Sequence, residues 1–140
     1  MPSKLSQWIA TTIREVGWVP ILMLFLLVFP SQVFDAFTRF PYIDIPLHYF
    51  GGIATGFFFH RLSINASQFG IFGPYHPATH VVLVFSLVCA AAVFWEFFEF
   101  TFDLLFGTHM QLSNQDTMTD LLLGVSGGAS FIFAFAVLRR

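Results

Sequence analysis

The sequence predicts an all-α, multi-pass transmembrane bundle of about four spans, and three observations carry that prediction. Of 140 residues, 56% are hydrophobic and only 10% charged, with a mean hydropathy of +0.76; a soluble domain is about a quarter charged and needs that charge to cover a water-facing surface. Four apolar runs are each long enough, or nearly so, to cross a bilayer as a helix, which takes about 20 residues. The basic residues divide unevenly between the connections, as they do in membrane proteins with a fixed orientation. With this length the chain forms a single integral membrane domain, residues 1–140, with no room for a separate soluble catalytic domain.

The first span is expected at about 16–34. Residues 1–15 lead into it through Ser6-Gln7-Trp8-Ile9-Ala10-Thr11-Thr12-Ile13-Arg14, a weakly amphipathic stretch suited to the interface. A cleaved signal peptide is the competing reading; the polar lead is long for one, and no small-x-small site follows Phe29. The second span, about 46–62, opens on Pro46, which a first helical turn accepts, and carries Gly51, Gly52 and Gly56, which let a neighbouring helix approach. The third, about 81–106, is the longest and contains Glu96, Glu99 and Asp103. The fourth, about 118–138, contains Gly124, Gly127 and Gly128 and ends before Arg139-Arg140. Cys89 has no partner for a disulfide and reads as a small packing residue.

With four spans, Lys4, Arg14, Arg61, Arg139 and Arg140 share one side and Arg39 stands alone on the other. Short basic loops stay cytoplasmic, so both termini and the 63–80 connection are expected inside, and 30–45 and 107–117 outside, in an inner (plasma) membrane. The sequon Asn65-Ala66-Ser67 then lies on the wrong side for glycosylation. A net charge of −2 with no basic stripe argues against a nucleic-acid partner.

The acids give the sharpest signal. Asp35, Asp44, Glu96, Glu99, Asp103, Asp116 and Asp120 fall on the outer side or in the outer half of a span; Glu15 alone does not. Counting back from Phe106 at about 1.5 Å per residue puts Asp103 roughly 5 Å deep, Glu99 roughly 10 Å and Glu96 roughly 15 Å, near the bilayer centre. A carboxylate at that depth facing lipid costs at least about 2.5–3.5 kcal/mol, so it must face the bundle interior and be protonated, paired or metal-bound. Spacings of three and four place Glu96, Glu99 and Asp103 on one stripe, continued by Ala92 and Cys89, while Phe94, Phe98 and Leu105 point away. Asp116 and Asp120 are four apart on the fourth helix, and Asp44 and His48 four apart at the start of the second, where Pro46 leaves open whether Asp44 is helical or a cap.

The expected result is a water-filled cavity opening outward and lined by Asp44, His48, Glu96, Glu99, Asp103, Asp116 and Asp120. Crowded carboxylates escape repulsion by sharing protons or binding a metal, and this donor set suits Mg, Mn or Ca, or Zn or Fe with His48 as ligand. Glu96, Glu99 and Asp120 are the candidates for acid/base catalysis. No established metal motif is present: H-E-x-x-H and the di-iron E-x-x-H pair are absent, and Ser113 is a nucleophile candidate only by its place in the sequence. Each signal has a plainer reading. Asp103 at a helix end can bond a neighbour, Asp116 or Asn114 can cap the fourth helix, His48 can be an ordinary buried histidine, and His60, His76 and His80 can simply mark the opposite interface. His109 belongs to the outer loop.

Asp44 and His48 followed by Gly51-Gly52, then Trp95-Glu96-Phe97-Phe98-Glu99, then Gly107 with Gln111, Asp116-Thr117-Met118-Thr119-Asp120-Leu121 and Gly128-Ala129 together resemble the YjdF-like (DUF2238) bacterial inner-membrane proteins, and more distantly the VanZ-like membrane proteins. The resemblance covers roughly Asp44 to Ala129, a core of that group. It implies a multi-pass membrane protein with a recurrent acidic and histidine constellation and brings no assigned activity; the VanZ likeness implies a cell-envelope role by analogy. Three functions fit the residues: a metal-dependent enzyme on a lipid-linked or envelope substrate, a cation- or proton-binding transport element, and a small accessory subunit of a larger membrane complex or homo-oligomer. Below Glu96 the third span reads Val93, Ala92, Ala91, Ala90 and Cys89, which predicts a blind cavity and no through-pore.

Overall fold

A computed structural model describes residues 2–34 and 39–138. The expectations placed on Asp35, Arg139 and Arg140 lie outside the described residues. All regular structure among the described residues is helical: α1 (Lys4–Val16), α2 (Trp18–Phe34), a 3-10 turn (Pro41–Ile43), α3 (Asp44–Gln68), α4 (Pro77–Phe106) and α5 (Asn114–Leu138).

Local chemistry sets the ends. Ser3 caps α1, its hydroxyl accepting from the Ser6 amide at 3.1 Å. The Gly17 amide closes the helix on the Ile13 carbonyl at 2.9 Å, at a 50° bend between α1 and Trp18–Pro30. Asp44 is the first residue of α3, and Pro46 falls in its first turn, where a missing N–H leaves no bond unmade. The His76 ring nitrogen caps α4 at the Ala78 amide, 3.1 Å, and Gly107, at φ 64°, ends it in the left-handed conformation that glycine adopts without strain. Ser113 is the cap of α5: its Oγ accepts from the Asp116 amide at 3.1 Å while Asp116 Oδ2 accepts from the Leu112 amide at 3.0 Å, an arrangement like a capping box. The Ser113 oxygen thus helps to hold the helix end.

α3 is the centre of the bundle. A Cβ on Gly52 would lie 2.0 Å from the Gly124 carbonyl oxygen of α5, and one on Gly127 2.0 Å from the Tyr49 carbonyl oxygen, so only glycine lets these two backbones meet. Gly128 faces Val88 of α4, where a Cβ would come within 2.4 Å of the valine methyl. The interior is rich in polar groups and the exterior apolar: Asp44, His48, His60, Ser63, Asn65, Glu96, Glu99 and Asp120 are buried beside Val16, Val19, Leu27, Val84, Val88 and Met110, whereas Ile21, Phe94, Leu104, Leu105, Leu122 and Phe133 are among the large side chains left exposed. This inversion of a soluble protein is stable only if the outer surface faces lipid. Phe98, expected to point outward, is half-buried and packs with Trp95 and Phe102 against Leu27 and Met110.

Among the described residues, two helices are long and apolar enough to cross a membrane, Pro77–Phe106 with hydropathy 2.4 and Asn114–Phe135 with 1.5, and the bent pair α1–α2 makes a third if it is one span. The expected span at 46–62 is the exception to the sequence reading. α3 runs for 25 residues, enough at about 1.5 Å each to cross the hydrocarbon core, but it falls outside the apolar class because it carries His48, His60, Arg61, Ser63 and Asn65. A helix enclosed by α1, α2, α4 and α5 need not be apolar all round.

Candidate functional site

Five of the seven predicted site residues converge on one imidazole. Asp44 and His48 stand one turn apart on α3, Glu96 and Glu99 one turn apart on α4, and Asp120 lies in the second turn of α5. His48 Nε2 is 3.1 Å from Asp44 Oδ1, 3.8 Å from Glu99 Oε1 and 4.0 Å from Asp120 Oδ1; Nδ1 is 3.8 Å from Glu96 Oε1. None of the five is more than 9% exposed. The tight α3–α5 contact brings the groups this close, since Gly52 is one turn beyond His48 and Gly124 one turn beyond Asp120.

A second layer holds the carboxylates. The Trp95 indole N–H donates to Glu99 Oε1 at 3.0 Å. The Gln111 side-chain amide donates to both Glu96 Oε2 and the Glu96 carbonyl, each at 3.0 Å. Gln111 is placed by Asp103, whose carboxylate accepts from the Thr108 hydroxyl, from the Met110 amide at 2.9 Å and from the Gln111 amide at 3.0 Å. Asp103 and Asp116, both expected to line the site as ligands, instead direct their carboxylates at the 108–112 connection. They share the face predicted for them but support the loop that clamps Glu96. Trp95 and Gln111 belong to the sequence pattern quoted above; what sequence alone withheld was their role as donors.

Among the described residues, two groups of side chains could hold a metal ion: Asp44, His48 and Asp120, and His48, Glu96 and Glu99, with the ligand atoms of each group within 4.8 Å of one another. His48 belongs to both.

The seven polar groups expected to line one water-filled cavity are divided. The carboxylates and imidazole around His48 are packed against one another; Glu96 also borders a space of about 690 Å³ shared with Asp103, Gln111, Ser113, Asn114 and Thr117, and the cluster adjoins an apolar groove of about 700 Å³ between α2, α3 and α4. Its walls include Leu22 and Met23 of α2, Ala54 and Phe58 of α3, and Val88 and Ala91 of α4; only Asp44, His48, Glu96 and Asp120 bring charge to it, all at one end.

The far end of the bundle holds a second polar network that the sequence reading assigned merely to an interface. His60 Nδ1 is 2.9 Å from His80 Nε2, His80 Nδ1 is 3.2 Å from Ser63 Oγ, and the Ser63 hydroxyl meets that of Tyr75, which donates to the Ser63 carbonyl at 2.6 Å. The same end carries the α1–α3 clasp: Arg61 to Glu15 at 2.7 Å, Asn65 to Glu15 at 3.0 Å, and the Trp8 indole to the Leu62 carbonyl at 3.0 Å. Hydrogen bonds from Asn65 and Arg61 hold the Glu15 carboxyl below its ordinary range.

Comparison with known families matches residues 10–140 to the model of DUF2238, described as a predicted membrane protein. The chain belongs to that family, and the match extends beyond the core over which the resemblance was read, to α1 and to the end of the chain; it gives no support to the VanZ likeness. No curated protein and no solved structure matches the chain.

Proposed function

From membership of this family of membrane proteins as a premise, we propose that the His48 cluster binds a divalent metal ion and forms the centre of an enzyme acting on a lipid-linked or envelope substrate at the outer leaflet of the inner membrane. The observation that carries the reading is the sharing of one buried imidazole by two groups of potential ligands. Asp44, Glu99 and Asp120 present oxygens to Nε2, which is then the nitrogen available to a metal, and Glu96 faces Nδ1, where a carboxylate orients a ligating histidine. Such a metal activates water or polarises a phosphoryl or carbonyl oxygen. Glu96, Glu99 and Asp120 are the groups in reach to take or give a proton. The donor set of one nitrogen and several carboxylate oxygens fits Mg, Mn, Ca or Zn. Segregation of Arg61 and the α1 clasp to the opposite end supports an outward-facing cluster, as the basic side stays cytoplasmic.

The test is elemental analysis of purified protein. Wild type is expected to carry a divalent metal that Glu99→Gln and Asp120→Asn lose; metal-free wild type that fails to take up Mg, Mn, Ca or Zn on titration removes the reading.

A second reading, a proton- or cation-binding transport element, draws on the Tyr75–Ser63–His80–His60 network about 18 Å along α3 from His48, twelve residues at the helical rise. It predicts cation- or proton-dependent flux in liposomes that Glu96→Gln abolishes. Against it stands the contact of Gly52 with the Gly124 backbone, which closes the α3–α5 face one turn beyond His48.

A further inference from the structure

We propose that the groove between α2, α3 and α4 takes one acyl chain of a bilayer phospholipid, placing the head of that lipid at His48; this rests on the metal reading above for the head and on the groove alone for the chain. Lining by both Asp44 and Phe59 of α3 gives the groove a length of about 22 Å at the helical rise. One leaflet of hydrocarbon is about 15 Å deep, so a single chain fits within it. Apolar walls with charge confined to one end match an amphiphile lying lengthwise and match no ligand that is polar at both ends.

A groove of about 700 Å³ is of the size that takes a small amphiphile, and charge confined to one end of otherwise apolar walls sets that occupant apart from a transmembrane helix of a second copy or a partner, which is apolar along its whole span. Small residues, Gly51, Ala54 and Ala91, keep the groove open on the α3 and α4 walls. Trp18, Leu22 and Leu26 of α2 line it and are 55%, 43% and 39% exposed, so its α2 wall opens onto the lipid-facing surface, and a chain reaches it sideways from the bilayer. The carboxylates at its end repel a bare phosphate, so a phosphate head is held there only with a divalent ion between.

The experiment is native mass spectrometry of protein taken from phosphatidylglycerol nanodiscs and washed with lipid-free detergent, alongside metal analysis of the same samples. One phospholipid retained per wild-type chain, lost in Ala54→Trp and in Ala91→Trp with metal content unchanged, is the expected result. Wild type that retains none, or tryptophan variants that retain as much, overturns the proposal. Retained lipid in wild type that is metal-free and takes up no Mg, Mn, Ca or Zn on titration leaves the groove standing and removes the metal reading, so the two failures are distinct. A phosphatidylglycerol with a photoreactive group on one acyl chain provides a check independent of variant folding: adducts are expected on peptides containing Met23, Ala54 and Ala91, and labelling spread evenly over exposed Phe94, Leu104 and Phe133 refutes it.

Discussion

Gly52→Ala tests the contact that builds the site. The new methyl would stand 2.0 Å from the Gly124 carbonyl oxygen, 2.8 Å from its carbon and 3.0 Å from the Gly128 nitrogen, where 3.4 Å is the beginning of ordinary contact. All three are backbone atoms of α5, so no side chain can swing aside and the helices must part by about 1.4 Å along that direction. Overpacking of this kind costs about 1–3 kcal/mol, with a rigid backbone at the upper end; alanine returns up to about 1 kcal/mol in helix propensity, leaving a net loss of about 2 kcal/mol. Gly51→Ala is the control, because its methyl meets only the Met23 methyl at 3.5 Å and should be neutral to stabilising by up to about 1 kcal/mol. Denaturation in mild detergent, followed by tryptophan fluorescence, should therefore separate the two variants by about 2–3 kcal/mol. Because Gly52 and Gly124 lie one turn from His48 and Asp120, the same displacement carries Asp120 beyond its 4.0 Å from the imidazole, and calorimetry should show weaker metal binding in Gly52→Ala alone. Equal stability of Gly52→Ala and Gly51→Ala refutes the backbone contact and with it the assembly of the cluster.

Gln111→Ala removes the donor to Glu96 Oε2 and should weaken metal binding about 10–100-fold, as loss of an outer-shell partner does, with little change in helicity by circular dichroism. Asp103→Ala frees the amides of Met110 and Gln111 and should cost at least about 1.5–3 kcal/mol, the worth of a hydrogen bond to a charged group, while weakening metal binding as Gln111→Ala does; wild-type metal affinity in this variant would sever the loop from the site. The Glu15 carboxyl, held below its ordinary value of 4.5 by Asn65 and Arg61, contributes stability that is complete above the unfolded value and is lost as pH falls through the lower folded one. Acidification below about pH 4.5 should thus destabilise wild type more than Glu15→Gln in thermal melts, and parallel acid limbs would show that the clasp carries no such linkage.

Residue spacing made much of the site legible. The i, i+4 pair Asp44–His48 and the i, i+3 pair Glu96–Glu99 fix one face of each helix, and a carboxylate too deep to face lipid must face its neighbours, so Glu96, Glu99 and Asp120 could be assigned inward before any coordinates. Asp103 and Asp116 obey the same periodicity and were grouped with them. What separates them is distance from the helix end: both reach unpaired amides of the 107–113 connection, and spacing along a helix says nothing of where a loop folds back. The groove was illegible for a related reason. Its walls come from three helices, and an apolar side chain facing a void has the same sequence signature as one facing lipid. The pairing of His60 with His80 was illegible because they are twenty positions apart on different helices, and only tertiary packing brings their ring nitrogens to 2.9 Å.

Charge accounting separates the acidic end from a merely structural network. The far-end clasp is balanced: Glu15 meets Arg61 and the Asn65 amide. Around His48, four buried carboxylates share a single imidazole, and among the described residues the donors to them from outside are two, Trp95 to Glu99 and Gln111 to Glu96. Asp120 faces the ring at 4.0 Å, beyond hydrogen-bonding reach. Buried ion pairs break even only when geometry and hydrogen bonding are both good, and one positive charge shared among four acids over 3.1–4.0 Å does not meet that condition. A scaffold that needed only to hold α3, α4 and α5 together already has the glycine contacts to do it. The cluster by itself therefore works against the stability of the fold, and either a divalent cation or a set of bound protons would relieve it. These two differ in a measurable way: if metal relieves the crowding, Mg, Mn, Ca or Zn should raise the denaturation midpoint of wild type in proportion to the logarithm of its concentration above the dissociation constant, and Asp120→Asn, with one carboxylate fewer, should be more stable than wild type without metal and less responsive with it.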